Sequence, residues 1–188
     1  MVQTPEKMLT LAQFLQLPET KPASEYSDRQ IIQKPMPQGK HSAIQGEFVT
    51  AINYVVKPQR IARAFPELRC TFGERSLVPD IVVFTSDRIP RYGNGEIANT
   101  FSLAPDWTIE ILSPTQSQTK VTKNILHCLH HGTQMGWLID PQEQTIFIYR
   151  PMQSVEVFDE SDDGVLPVPL FAKGLNLTIK DLLVWLRE

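Results

Sequence analysis

Two almost wholly apolar runs, Val78–Phe84 and Trp107–Leu112, each carry one acidic residue, Asp80 in the first and Glu110 in the second. Short runs rich in Val, Ile and aromatic residues predict strands covered on both faces. A covered strand constrains the whole fold, because helices or a further sheet must lie above and below it. It also makes the two acids expensive, since an unpaired buried carboxylate destabilises the folded chain by several kcal/mol unless a cation or a set of donors meets it.

The surrounding sequence supplies the covering helices. From His41 to Val56, Ile44, Phe48, Ala51, Ile52 and Val55 fall on one helical face, and Lys57-Pro58 ends the run. At about 100° per residue, His41 lies near the edge of that face, with Gln45 and Glu47 flanking it. A second helix is expected from Thr119 to His131, stopped by Gly132, with Val121, Ile125, Cys128 and Leu129 inward. A short helix capped by Thr10 and a closing helix opened by the Thr178-x-x-Asp181 box complete the set.

Further strands are predicted at Leu68–Phe72, at Val155–Phe158, and as a hairpin of Gly136–Asp140 with Thr145–Arg150. Residues 18–40 read as a connection rich in proline and charge, with a brief extended piece near Arg29–Lys34, and residues 85–106 as a long surface loop. The fold class is α/β: a mixed β-sheet flanked by helices, with an N-terminal extension over residues 1–36 and a main domain over 37–188.

Composition removes several classes of protein. No apolar stretch approaches the ~20 residues of a bilayer span and no signal pattern opens the chain, so a cytoplasmic protein is expected. Two cysteines, Cys70 and Cys128, are too few for a disulfide framework and read as reduced core thiols. The net charge of -3 advertises no basic face, so a polyanion would need a local basic patch or bridging cations. Neither a Gly-x-Ser-x-Gly elbow nor a Gly-rich phosphate loop occurs.

For Asp80 and Glu110 the residues alone leave two readings. On neighbouring strands about 4.8 Å apart, two carboxylates at matching heights can hold one Mg²⁺, a hard cation that takes oxygen ligands. Alternatively Asp80 caps a turn after Pro79, and Glu110 pairs with an arginine.

The wording around them resembles a known family. Val78-Pro79-Asp80-Ile81-Val82-Val83-Phe84, then Thr108-Ile109-Glu110-Ile111-Leu112-Ser113-Pro114, then Gly136-Trp137-Leu138-Ile139-Asp140-Pro141 resemble the Uma-type restriction endonuclease family of the PD-(D/E)XK nuclease superfamily. Lys34-Pro35-Met36-Pro37 followed by His41-Ser42 is similar to the same family, so the resemblance runs from about Leu9 to Arg150. It implies a restriction-endonuclease-like core and a Mg²⁺-dependent endonuclease acting on DNA, with Mn²⁺ as a substitute cation and a homodimer as the form that would cut both strands.

In this reading Asp80 and Glu110 ligate the cation and the Leu112 carbonyl adds a ligand. Leu112 stands where the superfamily pattern has lysine, and families of this type supply that lysine from the following helix. Lys120 and Lys123 are the candidates there; Asn124 lies nearest the buried edge, Lys120 further round on the same side and Lys123 almost opposite. Glu47, Gln45 and His41 are candidate outer ligands, and Arg88, Arg91, Lys34 and Lys40 candidate phosphate contacts.

Two rival readings follow from the same residues. Leucine at 112 and asparagine at 124 suit a nuclease fold that binds nucleic acid, or another partner, without cutting it. His127 and His131, at i and i+4 on one helix, are the pair a zinc site would use.

Overall fold

In the computed structural model, which describes residues 9–187, the alternation of β7 (Trp107–Ile111) divides the molecule into two layers. Before it along the chain come α1 (Leu11–Phe14), β1 (Ser24–Ser27), β2 (Gln30–Gln33), α2 (Gly39–Val56), β3 (Ala62–Pro66), β4 (Cys70–Phe72), β5 (Arg75–Leu77) and β6 (Ile81–Thr85). After it come α3 (Gln118–His130), β8 (Met135–Asp140), β9 (Thr145–Tyr149), β10 (Glu156–Phe158) and α4 (Ile179–Val184).

Six strands form the main sheet in the order β10-β9-β8-β7-β6-β3. All its pairs are antiparallel except β7 with β8, which α3 connects as a crossover. Trp107, Ile109 and Ile111 face one side, where they meet Ile81, Val83, Trp137 and Ile139 beneath Ile44, Phe48 and Ile52 of α2 and Leu182 of α4. On the opposite side, Leu138 and Tyr149 pack against Val121 and Ile125 of α3, while Val82 and Phe84 are covered by Ile89 and Phe101 of the long 86–105 loop. Both faces of the central strands are therefore dry, as the apolar runs require.

Helix α3 comes unusually close to this sheet. A Cβ built on Gly136 would fall 2.3 Å from Cγ2 of Ile125, so only glycine fits at that position of β8.

A second sheet, of order β2-β1-β5-β4, was not expected from the sequence. Residues 24–33 form a tight hairpin whose inner strand pairs with β5, so the extended piece before α2 is part of the folded body. Strand β3, at the edge of the main sheet, was also unread. The elements that were expected start and stop within a few residues of their predicted bounds, and the Thr10 and Thr178 boxes both form, with Gln13 and Asp181 as the reciprocal partners.

Candidate active site

The chain leaves the small sheet at Leu77 and enters the main sheet at Ile81, so Val78-Pro79-Asp80 is the bridge between them. Ile81 pairs with Ile109 in the antiparallel β6–β7 ladder; continuing that register by one residue sets Asp80 opposite Glu110 on the α3 side. Both acids are buried, at 2% and 3% exposure. A proline at the strand entrance is tolerated because no ladder donor is needed there.

The bridge is pinned by polar groups from three elements. Lys34, just past β2, sends its ammonium between the acids: Nζ is 2.6 Å from Oδ1 of Asp80 and 3.6 Å from Oε2 of Glu110, and also donates to the Val78 carbonyl at 2.8 Å. Glu25 of β1 accepts the Val78 N–H at 2.7 Å and the Asn124 side-chain amide of α3 at 3.2 Å. Gln45 of α2 donates to the Asp80 carbonyl at 2.8 Å. The other oxygen of Asp80, Oδ2, accepts the Ile111 N–H at 2.7 Å and lies 3.1 Å from Nε2 of His41.

Three buried carboxylates thus surround one lysine. Burial alone would lower the Lys34 ammonium, but the charges of Asp80, Glu110 and Glu25 outweigh it and hold it above its ordinary range. Burial would raise Asp80, yet Lys34 and the His41 contact keep it well below the usual carboxylate range. For Glu110 burial wins: with the Lys34 charge more distant and Asp80 and Glu25 both repelling, its carboxyl is pushed well above its ordinary value. Fully ionised, the three carboxylates would carry more negative charge than one lysine balances, which is why Glu110 holds its proton more tightly.

Asp106 shows how a structural buried acid differs. Arg88 at 2.6 Å, Gln134 at 3.2 Å, and the N–H and hydroxyl of Thr85 at 2.8 and 3.1 Å satisfy both its oxygens. Arg88, read from the sequence as a phosphate contact, is therefore committed to Asp106, and Arg91 donates to the Gly95 carbonyl. Both lie in the loop that joins the end of β6 to the start of β7, away from the Asp80 end of the ladder, so neither belongs to this site.

The remaining predicted residues serve the core or the surface. Leu112 packs with Val121, Ile125 and Leu138, so its side chain is part of the α3 core and its N–H is taken by the Ile139 carbonyl. Lys120 and Lys123 are both exposed and, among the described residues, neither makes an ion pair; the lysine at the acids is Lys34. Glu47 is exposed, and Lys40, at the start of α2, lines a small cleft beside His41 and Leu112.

Each histidine of the predicted zinc pair sets one ring nitrogen against a backbone carbonyl. Nε2 of His127 is 3.2 Å from the Phe72 carbonyl, and Nδ1 of His131 is 2.8 Å from the His127 carbonyl. Cys70 and Cys128 are free and buried, with Cys70 pushed up to about 12 by burial. Among the described residues no three His, Cys, Asp or Glu side chains converge as metal ligands. What fits a cation is the Asp80–Glu110 pair, a hard-oxygen set of the kind Mg²⁺ takes together with water.

A mixed sheet flanked by helices, with an acidic pair and a lysine at one end of adjacent strands, defines a protein of nuclease-like fold. A crystal structure titled as that of "a putative nuclease belonging to DUF820", from Anabaena variabilis ATCC 29413, superposes with a TM-score of 0.93 at 74% sequence identity, covering 95% of this chain and 99% of that one. The family model Uma2, described as "Putative restriction endonuclease", matches residues 11–180, and the chain belongs to that family. No curated protein matches the chain. A nuclease is the class that the family description and the relative's title both support.

Proposed function

We infer that the chain is a cation-dependent endonuclease that hydrolyses phosphodiester bonds of DNA. The observation that carries this reading is the Lys34 ammonium, shared at 2.6 and 3.6 Å by two buried carboxylates from adjacent strands. Asp80 and Glu110 would hold Mg²⁺, with Mn²⁺ as a substitute, and the Leu112 carbonyl would stand beside them. A cation bound there would polarise a phosphoryl oxygen and make a water more acidic.

The chain's own groups divide the remaining work. The Ile111 N–H and His41 fix Oδ2 of Asp80, so the carboxylate presents Oδ1 to the Lys34 ammonium without rotating. Lys34 is the catalytic lysine in place of Lys120. Displaced from Asp80, its ammonium reaches the phosphate and offsets the charge that builds up as water attacks phosphorus in line and the opposite P–O bond breaks.

One observation favours a second reading, a non-cleaving nucleic-acid-binding module: Lys34 already neutralises Asp80 at 2.6 Å. Incubating plasmid and oligonucleotide DNA with Mg²⁺ or Mn²⁺ decides between them. Cutting by the wild type, lost by at least about 100-fold in Lys34→Ala, Asp80→Ala and Glu110→Ala, is the expected result. Binding with no cutting in either cation would establish the module.

A further inference from the structure

Two clefts open on either side of Lys34. One, of about 520 Å³, reaches Asp80 and His41; the other, of about 470 Å³, reaches Glu25, Asn124, Lys120 and Lys123. Lys34, Pro35 and Gln116 line both, so together they form the sill over which one cleft continues into the other. Each has the size of a site that encloses a small organic molecule, a scale that suits individual nucleotides.

The charges in the second cleft are unevenly committed. Asp28 is held by Arg75 at 2.7 Å, Glu25 by the Val78 N–H and the Asn124 amide, and Lys34 by Asp80. Lys120 and Lys123 are exposed, lie one turn apart on α3, and make neither an ion pair nor a side-chain hydrogen bond among the described residues. The helix wheel set them on different sides, yet both line this cleft.

Access is the other constraint. Asp80 and Glu110 lie recessed at 2% and 3% exposure, and each cleft beside Lys34 has the scale of single nucleotides, which an unpaired strand fits more readily than a base-paired one. An unpaired strand can thread a groove, with cations following its backbone.

We propose that the two clefts form one track for an unpaired polynucleotide strand, and that Lys120 and Lys123 hold its backbone phosphates as the strand crosses Lys34 toward Asp80 and Glu110. The inference rests on the nuclease reading for what happens at the acids, but the track itself is a binding property. Lys120 and Lys123 are thus positioning residues, and they set which form of nucleic acid is used.

The test is fluorescence anisotropy with a labelled oligonucleotide, single-stranded or as a blunt duplex, across a salt series in EDTA, with DNA and RNA arms. The single strand is expected to bind at least about tenfold tighter than the duplex. The double variant K120Q/K123Q should weaken single-strand binding about tenfold and reduce the slope of log Kd against log salt by about 1.4, or about 0.7 for each phosphate no longer neutralised. The arm that binds tighter names the sugar.

Equal or tighter binding of duplex, or an unchanged slope in the double variant, overturns the proposal. In Mg²⁺, the same variant should raise KM for a single-stranded substrate while kcat is retained. Cutting that prefers duplex sinks the track but leaves the nuclease standing; a reduced slope with no cutting supports the track and sinks the nuclease.

Discussion

Removing Lys34 would leave Asp80, Glu110 and Glu25 in a nearly dry interior with one cation fewer. Breaking a buried pair in this way costs about 3–5 kcal/mol, because the remaining charges are left uncompensated. Lys34→Ala is therefore expected to melt well below the wild type in EDTA. It should also gain more from Mg²⁺ than the wild type does, since the cation then enters an excess of carboxylate with no ammonium to displace. Thermal melting of both proteins in EDTA and in Mg²⁺ measures this; equal Mg²⁺ shifts would mean the acids do not share a cation. The two acids were legible because a charged residue in an apolar run is an anomaly with a physical cost. Lys34 was legible as a candidate phosphate contact and as part of the Lys34-Pro35-Met36-Pro37 resemblance, but not as the partner of the acids, because it reaches Asp80 across 46 positions of sequence. Glu25, whose partner Asn124 is 99 positions away, gave no signal at all.

Elements with strong periodicity were legible for the same reason that they are buried. Helices α2 and α3 and strands β6 to β9 follow the apolar pattern, because each faces a core on at least one side. The unread strands are short or polar. Strand β5 is Arg75-Ser76-Leu77, β3 is an edge strand with a charged residue and a proline, and β1 is Ser24-Glu25-Tyr26-Ser27, four buried residues of which three are not apolar. In β1 the burial is explained by partners: Glu25 serves the bridge, and Tyr26 stacks on Phe14 at 5.5 Å and donates to the Leu9 carbonyl. At the α3–β8 contact, Gly136→Ala should cost about 1–3 kcal/mol in denaturant unfolding by pushing Ile125 away. The cost is expected to shrink in an Ile125→Ala background, where the Cγ2 methyl that the new Cβ meets is absent, which a purely conformational effect of the glycine would not allow. The other end of α3 gives a pH signature. Burial holds His127 below its ordinary value of 6.5, opposed by the Phe72 carbonyl and helped by Arg75 and His131. A histidine with a lowered folded value stabilises fully above the unfolded value, and that contribution is lost as pH falls through the window just beneath it. Unfolding free energy should thus drop as pH falls below the ordinary histidine value of about 6.5, and less steeply in His127→Gln. An identical slope in the variant would remove His127 as the cause.

For the whole molecule, two sheets joined at one bridge make a single centre, and a single centre breaks one strand at a time. Cutting both strands of a duplex in one encounter would need a second copy of the chain, the homodimer expected from the family resemblance. An unpaired-strand track needs none. Net charge adds a further constraint: at -3, the molecule as a whole repels a polyanion, so on the proposed track the exposed Lys120 and Lys123 would provide local attraction and binding should weaken steeply with salt. A supercoiled plasmid then makes a discriminating substrate, because negative supercoiling favours local strand opening while a relaxed closed circle stays paired. With Mg²⁺, supercoiled DNA should pass first to nicked circles and only later to linear form, relaxed circles should react more slowly, and the initial rate should rise in proportion to protein concentration. Direct conversion to linear product, at a rate rising with the square of concentration, would instead require two copies acting together on paired DNA, and the recessed acids would then have to be uncovered by duplex binding itself.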